Sequence, residues 1–182
     1  MKNILTLSVF SFLLFFGCNE NLDNTIVSTQ ANLEKQPITQ TGSQFYASEL
    51  IDGENGGWLV LSEYYTNSRG EVITLYARVR ILPGSYVGTQ NIKMILNTED
   101  VSIQLFPEMT FARDVKLDLW YKGVDLIDLG YTTSGDVDFV YFGKNGNVEL
   151  IENTKSKVDL SKNKIYVTNA KIQHFSRYGW IR

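Results

Sequence analysis

Three kinds of side chain in this 182-residue chain offer chemistry beyond packing. The first is a lone thiol, Cys18, standing directly behind an apolar run, where it can accept a fatty acyl chain. The second is an imidazole two residues ahead of a hydroxyl, His174-Phe175-Ser176, which pairs a base with a nucleophile. The third is the set of indoles Trp58, Trp120 and Trp180, with Tyr64, Tyr65 and Tyr121 beside them, whose flat faces can carry sugar rings. Most aromatics fill cores and sheet faces, so packing is the competing role for each of them.

Other chemistries find less to work with. Asp52-Gly53-Glu54-Asn55-Gly56-Gly57 has the flavour of a calcium loop but lacks the alternating ligands and the distal glutamate. It reads as a turn into a strand beginning at Trp58. One histidine and no spare cysteine leave no ordinary zinc set. Asp118, Asp125, Asp128, Asp136 and Asp138 offer carboxylates for a glycosidase pair, yet their spacing selects no two of them, and solvated strand faces account for all. No glycine-rich loop precedes a helix, so a nucleotide site is not expected. The expectation is no metal and no cofactor.

The segment that positions the thiol is short. Lys2 precedes an apolar run from Ile4 to Gly17, 14 residues long. A membrane-spanning helix needs roughly 20, whereas a signal-peptide apolar region needs roughly 7–15 behind a positive start. Leu14-Phe15-Phe16-Gly17-Cys18 resembles the bacterial lipobox, with Phe15 and Phe16 in place of the usual leucine and small residue, as in Bacteroidetes-type variants. The resemblance implies a lipoprotein signal peptide over residues 1–17. Cys18 then becomes the mature N-terminus, carrying acyl chains such as palmitate on its sulfur and amine. Each buried CH₂ contributes about 0.8 kcal/mol, and stable anchoring takes more than one chain. The expected location is the bacterial cell envelope, on the outer membrane, with neither face singled out. An ordinary signal peptide with an incidental Cys18, or a buried N-terminal core element, are the alternatives.

Residues 18–44 are rich in Asn, Gln, Thr and Ser and poor in aromatics, the composition of a flexible tether. At roughly 5–6 Å × √n, such a tether reaches roughly 28 Å. The net charge of −3 argues against a nucleic-acid partner, which calls for a basic chain, and leaves the acyl group as the membrane contact. With its only thiol acylated, the mature chain forms no disulfide, so packing alone must hold one domain over residues 45–182, expected to be monomeric.

In that domain a period of two dominates. Ile73, Leu75, Ala77, Val79 and Ile81 alternate with Val72, Thr74, Tyr76, Arg78 and Arg80. Val101, Ile103 and Leu105 alternate with Ser102 and Gln104, and Val115, Leu117, Leu119 and Tyr121 with Asp114, Lys116, Asp118 and Trp120. Each pattern sends one set to a core and the other to solvent. Turn signals separate the runs, the strongest being Asn145-Gly146 between Val137–Phe142 and Val148–Ile151, a hairpin cue. No segment carries a 3.6 period. The predicted fold class is all-β, an antiparallel β-sandwich.

Three stretches, taken in order over residues 57–178, carry a family resemblance. Val79-Arg80-Ile81-Leu82-Pro83-Gly84-Ser85 is similar to the "V-x-I-P-P-G-A" strand and turn of the ZU-five domain. Phe106-Pro107-Glu108-Met109-Thr110-Phe111-Ala112-Arg113-Asp114-Val115-Lys116-Leu117 resembles its "G-P-x-G-L-x-F-x-K-P-V-x-L-x-L" segment, and Ile172-Gln173-His174-Phe175-Ser176-Arg177-Tyr178 its closing "H-F-S-x-Y/F" strand. The departures are Leu82 for proline, Ser85 for alanine, Glu108-Met109 for glycine-leucine and Arg113-Asp114 for lysine-proline. The resemblance implies a β-sandwich acting as an interaction or structural module rather than a metabolic enzyme.

In some relatives the same tripeptide cuts itself. There the serine hydroxyl attacks the preceding carbonyl, the histidine takes its proton, an N→O acyl shift leaves an ester, and water hydrolyses it. Carried over, His174 is the base, Ser176 the nucleophile and Phe175 supplies the attacked carbonyl. The competing reading is structural closure by an aromatic last strand. Strand parity puts Phe175 with polar Lys171, Gln173 and Arg177, so a regular strand exposes it unless a bulge re-aims it. The function expected is a lipid-anchored envelope binding or structural module recognising protein or glycan, with self-cleavage between Phe175 and Ser176 as the alternative.

Overall fold

The computed structural model describes residues 43–181. The expected signal segment, Cys18 and nearly all of the expected tether lie outside the described residues. Ser43 and Gln44, assigned above to the tether, belong to the domain. Thr98 N donates to Ser43 O at 3.0 Å, and Gln44 opens the first strand opposite Asn97. Their polar side chains hid this, because the backbone does the tying.

The strands, in order, are β1 (Gln44–Asp52), β2 (Gly57–Thr66), β3 (Val72–Ile81), β4 (Thr89–Asn97), β5 (Ser102–Phe106) and β6 (Thr110–Lys122). They continue as β7 (Gly135–Asp136), β8 (Phe139–Phe142), β9 (Val148–Leu150), β10 (Lys155–Asp159), β11 (Lys164–His174) and β12 (Arg177–Trp180). They form two six-stranded antiparallel sheets, ordered β1-β4-β5-β12-β8-β9 and β2-β3-β6-β11-β10-β7. The protein is an all-β sandwich, as the alternation predicts. Its core is the pair of inner faces, where Leu75, Ala77 and Val79 of β3 and Leu117, Leu119 and Tyr121 of β6 meet Ile92, Met94 and Leu96 of β4.

Polar groups also cross between the layers. Tyr121 on β6 donates its hydroxyl to Ser102 O on β5 at 2.5 Å. Burial, then the nearby Asp100 carboxylate, push that hydroxyl well above its ordinary range. Trp180 on β12 donates Nε1–H to Ser156 Oγ on β10 at 2.9 Å. A polar atom buried without such a partner costs about 1–3 kcal/mol, so these bonds fix the relative position of the sheets.

Two local devices adjust the register. Between the pairs Val167–Leu119 and Ala170–Leu117, β11 spends three residues to two on β6. Asn169 takes up the extra residue at φ +54°, with its N–H donating to Asp118 Oδ1 at 2.8 Å. Val167 and Ala170 therefore both reach the core despite their odd spacing. The second device overturns an expectation. Val101 precedes β5 in a left-handed turn at φ +50°, and Ser102, expected on the solvent side, is buried with Val101 and Ile103. The turn resets the alternation that a continuous strand would have kept.

The Asn-Gly hairpin forms between β8 and β9, with Asn145 at φ +70° and Gly146 at φ +78°. Gly123, which ends β6 at φ +84°, has no substitute, since a Cβ there would sit 2.3 Å from Val72 O.

Candidate functional site

The tripeptide His174-Phe175-Ser176 is where the chain changes layers. His174 ends β11 in the second sheet and Arg177 begins β12 in the first. Phe175 N donates to Met109 O at 2.8 Å, and Ser176 O accepts from Leu105 N at 2.8 Å. The crossing turns the Phe175 ring inward, edge-on to Phe111 with centroids 4.6 Å apart and 2% of the residue exposed. Opposite it, β6 takes five residues to β11's two between the pairs Ile172–Val115 and His174–Thr110. A change of sheet, with the irregularity carried by β6, thus resolves the parity of Phe175.

His174 faces tyrosines. Its ring stands edge-on to Tyr141 at 4.5 Å, and its Nδ1 lies 3.2 Å from the Tyr178 hydroxyl. That hydroxyl donates its proton to the His174 carbonyl, so it accepts from Nδ1–H, which assigns the imidazole proton to Nδ1. Burial, then Tyr141 and Glu149, raise the Tyr178 hydroxyl far above its usual value. Among the described residues no hydrogen bond joins His174 to Ser176, and no residue from 174 to 176 has a positive φ. A tyrosine returning its hydroxyl to the backbone four residues upstream is a corner-fixing arrangement known from β-sandwiches. A groove of about 690 Å³ passes the corner, bounded by Glu108–Thr110 and Tyr141.

The indoles divide. Trp180 is 5% exposed, wedged edge-on against Phe139 at 5.2 Å and Tyr121 at 6.2 Å, so its expected ligand-binding role gives way to packing. Tyr121 is fully buried and Tyr65 packs on Phe45 at 5.2 Å, which removes them as well. Trp58, 50% exposed, and Trp120 point outward from the same side of the second sheet.

Cross-strand register arranges that outer face in rows. Ser62, Tyr76, Trp120, Tyr166, Lys157 and Asp136 form one row over six strands. Tyr76 and Trp120 lie 5.8 Å apart at 16° between planes, and Lys164 Nζ sits 4.8 Å from the Trp120 ring and 5.2 Å from that of Tyr166. On one side runs Val60, Arg78 and Asp118, then Trp58, Arg80, Lys116 and Lys171. On the other runs Tyr64, Thr74, Lys122, Lys164 and Asp159. Sequence reasoning put Tyr76 on the polar side of its strand but did not join it to Trp120. Tyr166, between buried Ile165 and Val167, carried the same signal.

Three of the candidate carboxylates, Asp118, Asp125 and Asp128, serve as partners of cations or turns. Asp118 holds Arg78 at 2.6 Å, which raises the guanidinium further above its ordinary value. Asp125 accepts from Arg69 at 3.0 Å and from Asp128 N at 3.0 Å; that backbone bond first, and Arg69 with it, lower its pKa. In the Asp52–Gly56 loop, Asp52 accepts from Asn55 and from Glu54 N, closing the turn on itself. Among the described residues no group of His, Cys, Asp and Glu is placed to hold a metal ion. No protein family, curated protein or solved structure matches this chain.

Proposed function

We propose that this protein is a lipid-anchored binding module of the bacterial cell envelope that recognises glycan on the outer face of its second sheet. In this reading acyl chains on Cys18 hold it to the membrane, and the sandwich does no chemistry of its own. The resemblance to ZU-five domains supports the non-catalytic side. The observation that carries the glycan side is the gathering of Trp58, Tyr64, Tyr76, Trp120 and Tyr166 on one solvent-facing sheet surface. Trp58 and Tyr64 are 50% and 75% exposed, so much of both rings stays open to a ligand.

Two measurements test the two halves. Cells grown with labelled palmitate are expected to label the wild-type chain and not Cys18→Ser; an unlabelled wild type removes the anchor. For recognition, the full chain in detergent is run on native gels containing single polysaccharides. Retardation by at least one is expected, and Trp58→Ala should weaken it about tenfold, or about 1.4 kcal/mol. Migration unchanged on every polysaccharide, or retardation that Trp58→Ala leaves intact, ends the reading.

A further inference from the structure

Charge on the recognised face runs against the charge of the chain. The whole sequence has a net charge of −3, yet the rows described above hold seven lysines and arginines against three aspartates. Among the described residues no carboxylate pairs with Arg80, Lys122, Lys157 or Lys164. Arg80, Lys116 and Lys171 stand directly opposite one another on three adjacent strands. Like charges in that relation destabilise a sheet. Glu152 compensates Lys171, and Asp114 reaches Lys116 only at 4.0 Å. Arg80 has its guanidinium carbon 5.5 Å from the Trp58 ring centroid. Like charges set opposite one another on three adjacent strands, with Arg80 left without a carboxylate partner among the described residues, make a face that an external anion would relieve.

From this we infer that the glycan is acidic, a polysaccharide bearing carboxylate or sulfate groups, laid across the strands along the Trp58–Arg80–Lys116 row. The inference rests on the glycan reading above and adds the charge of the ligand. Neighbouring strands lie about 4.8 Å apart, a repeat close to the length of one pyranose unit, so successive acidic sugars meet successive cations. The net charge of −3 on the chain as a whole disfavours a nucleic-acid strand as the occupant.

The experiment compares polygalacturonate with its fully methyl-esterified form, and dextran sulfate with dextran, using the full chain in detergent on the same gels. Retardation by a charged member and not by its neutral twin is expected, weakening at least tenfold between low and high salt. Arg80→Gln with Lys116→Gln should reduce it at least tenfold. Lys116→Gln alone, expected to reduce it severalfold, gives a second variant should the pair fold poorly. Lys93→Gln, on the other sheet, should change nothing. Retardation by neutral polysaccharide alone overturns the acidic assignment and leaves glycan recognition standing; retardation by none overturns both. Tighter binding to an oligothymidylate or to phosphatidylglycerol vesicles than to either acidic polysaccharide also overturns the inference.

Discussion

Trp180→Ala is expected to destabilise the domain by about 3–5 kcal/mol, the range for truncating a large buried aromatic. Part of the loss is packing, because the indole fills the space between Phe139 and Tyr121. Another part is polar, because Ser156 Oγ, on a residue 8% exposed, is left without its donor. For a domain of this size the melting temperature should fall by on the order of 10–20 °C. Trp120→Ala should cost far less stability, about 1 kcal/mol or under, since that ring lies on the outer face beside Tyr76 and Lys164. Urea melts followed by near-UV circular dichroism separate the two. Equal losses would mean the division of the indoles into packing and surface groups is wrong.

Phe175→Ala should be comparably damaging, again about 3–5 kcal/mol, while Ser176→Ala should stay within about 0.5 kcal/mol. The ring is the plug at the layer change, packed on Phe111, whereas the neighbouring serine contributes its carbonyl to Leu105 N and, among the described residues, no side-chain hydrogen bond. Intact mass decides the chemistry at the same position. A chain lacking Ser176–Arg182, restored to full length by Ser176→Ala, is the signature of an N→O shift at Phe175. The expected result is one species, identical in cleavage state for the wild type and the serine variant. Appearance of the shorter species would replace the structural role of the corner with a reactive one.

Much of the fold was legible because β3 and β6 are long enough for their alternation to be unambiguous, and because Asn145-Gly146 demands a positive φ at two adjacent residues. What alternation misses are the places where the chain leaves a regular path. Val101 and Asn169 shift the parity by adopting left-handed backbone; valine gives no sign of it, and a lone asparagine in an apolar run gives only a weak one. Phe175 seemed misplaced for a different reason, a change of sheet that no local pattern encodes. The indoles were sorted correctly only where strand parity was clear. Trp120 sits in a long alternating run, but Trp180 belongs to a four-residue strand whose burial depends on β5 and β8 lying on either side. The basic face was hidden by the acidic net charge, since a sum over the chain erases a segregation that appears only when β3, β6 and β11 are set side by side.

The position of β12 has a consequence for how the molecule is made. It is the last of the described strands, yet it lies in the middle of the first sheet, pairing with β5 on one side and β8 on the other. Until it arrives, β1, β4 and β5 form one fragment of that sheet and β8 and β9 another, with no strand between them. Contacts of such long sequence separation are slow to form. A nascent chain cannot finish this layer piecemeal. It stays open until residue 180 has emerged, so closing the layer waits on a strand made after the five it unites.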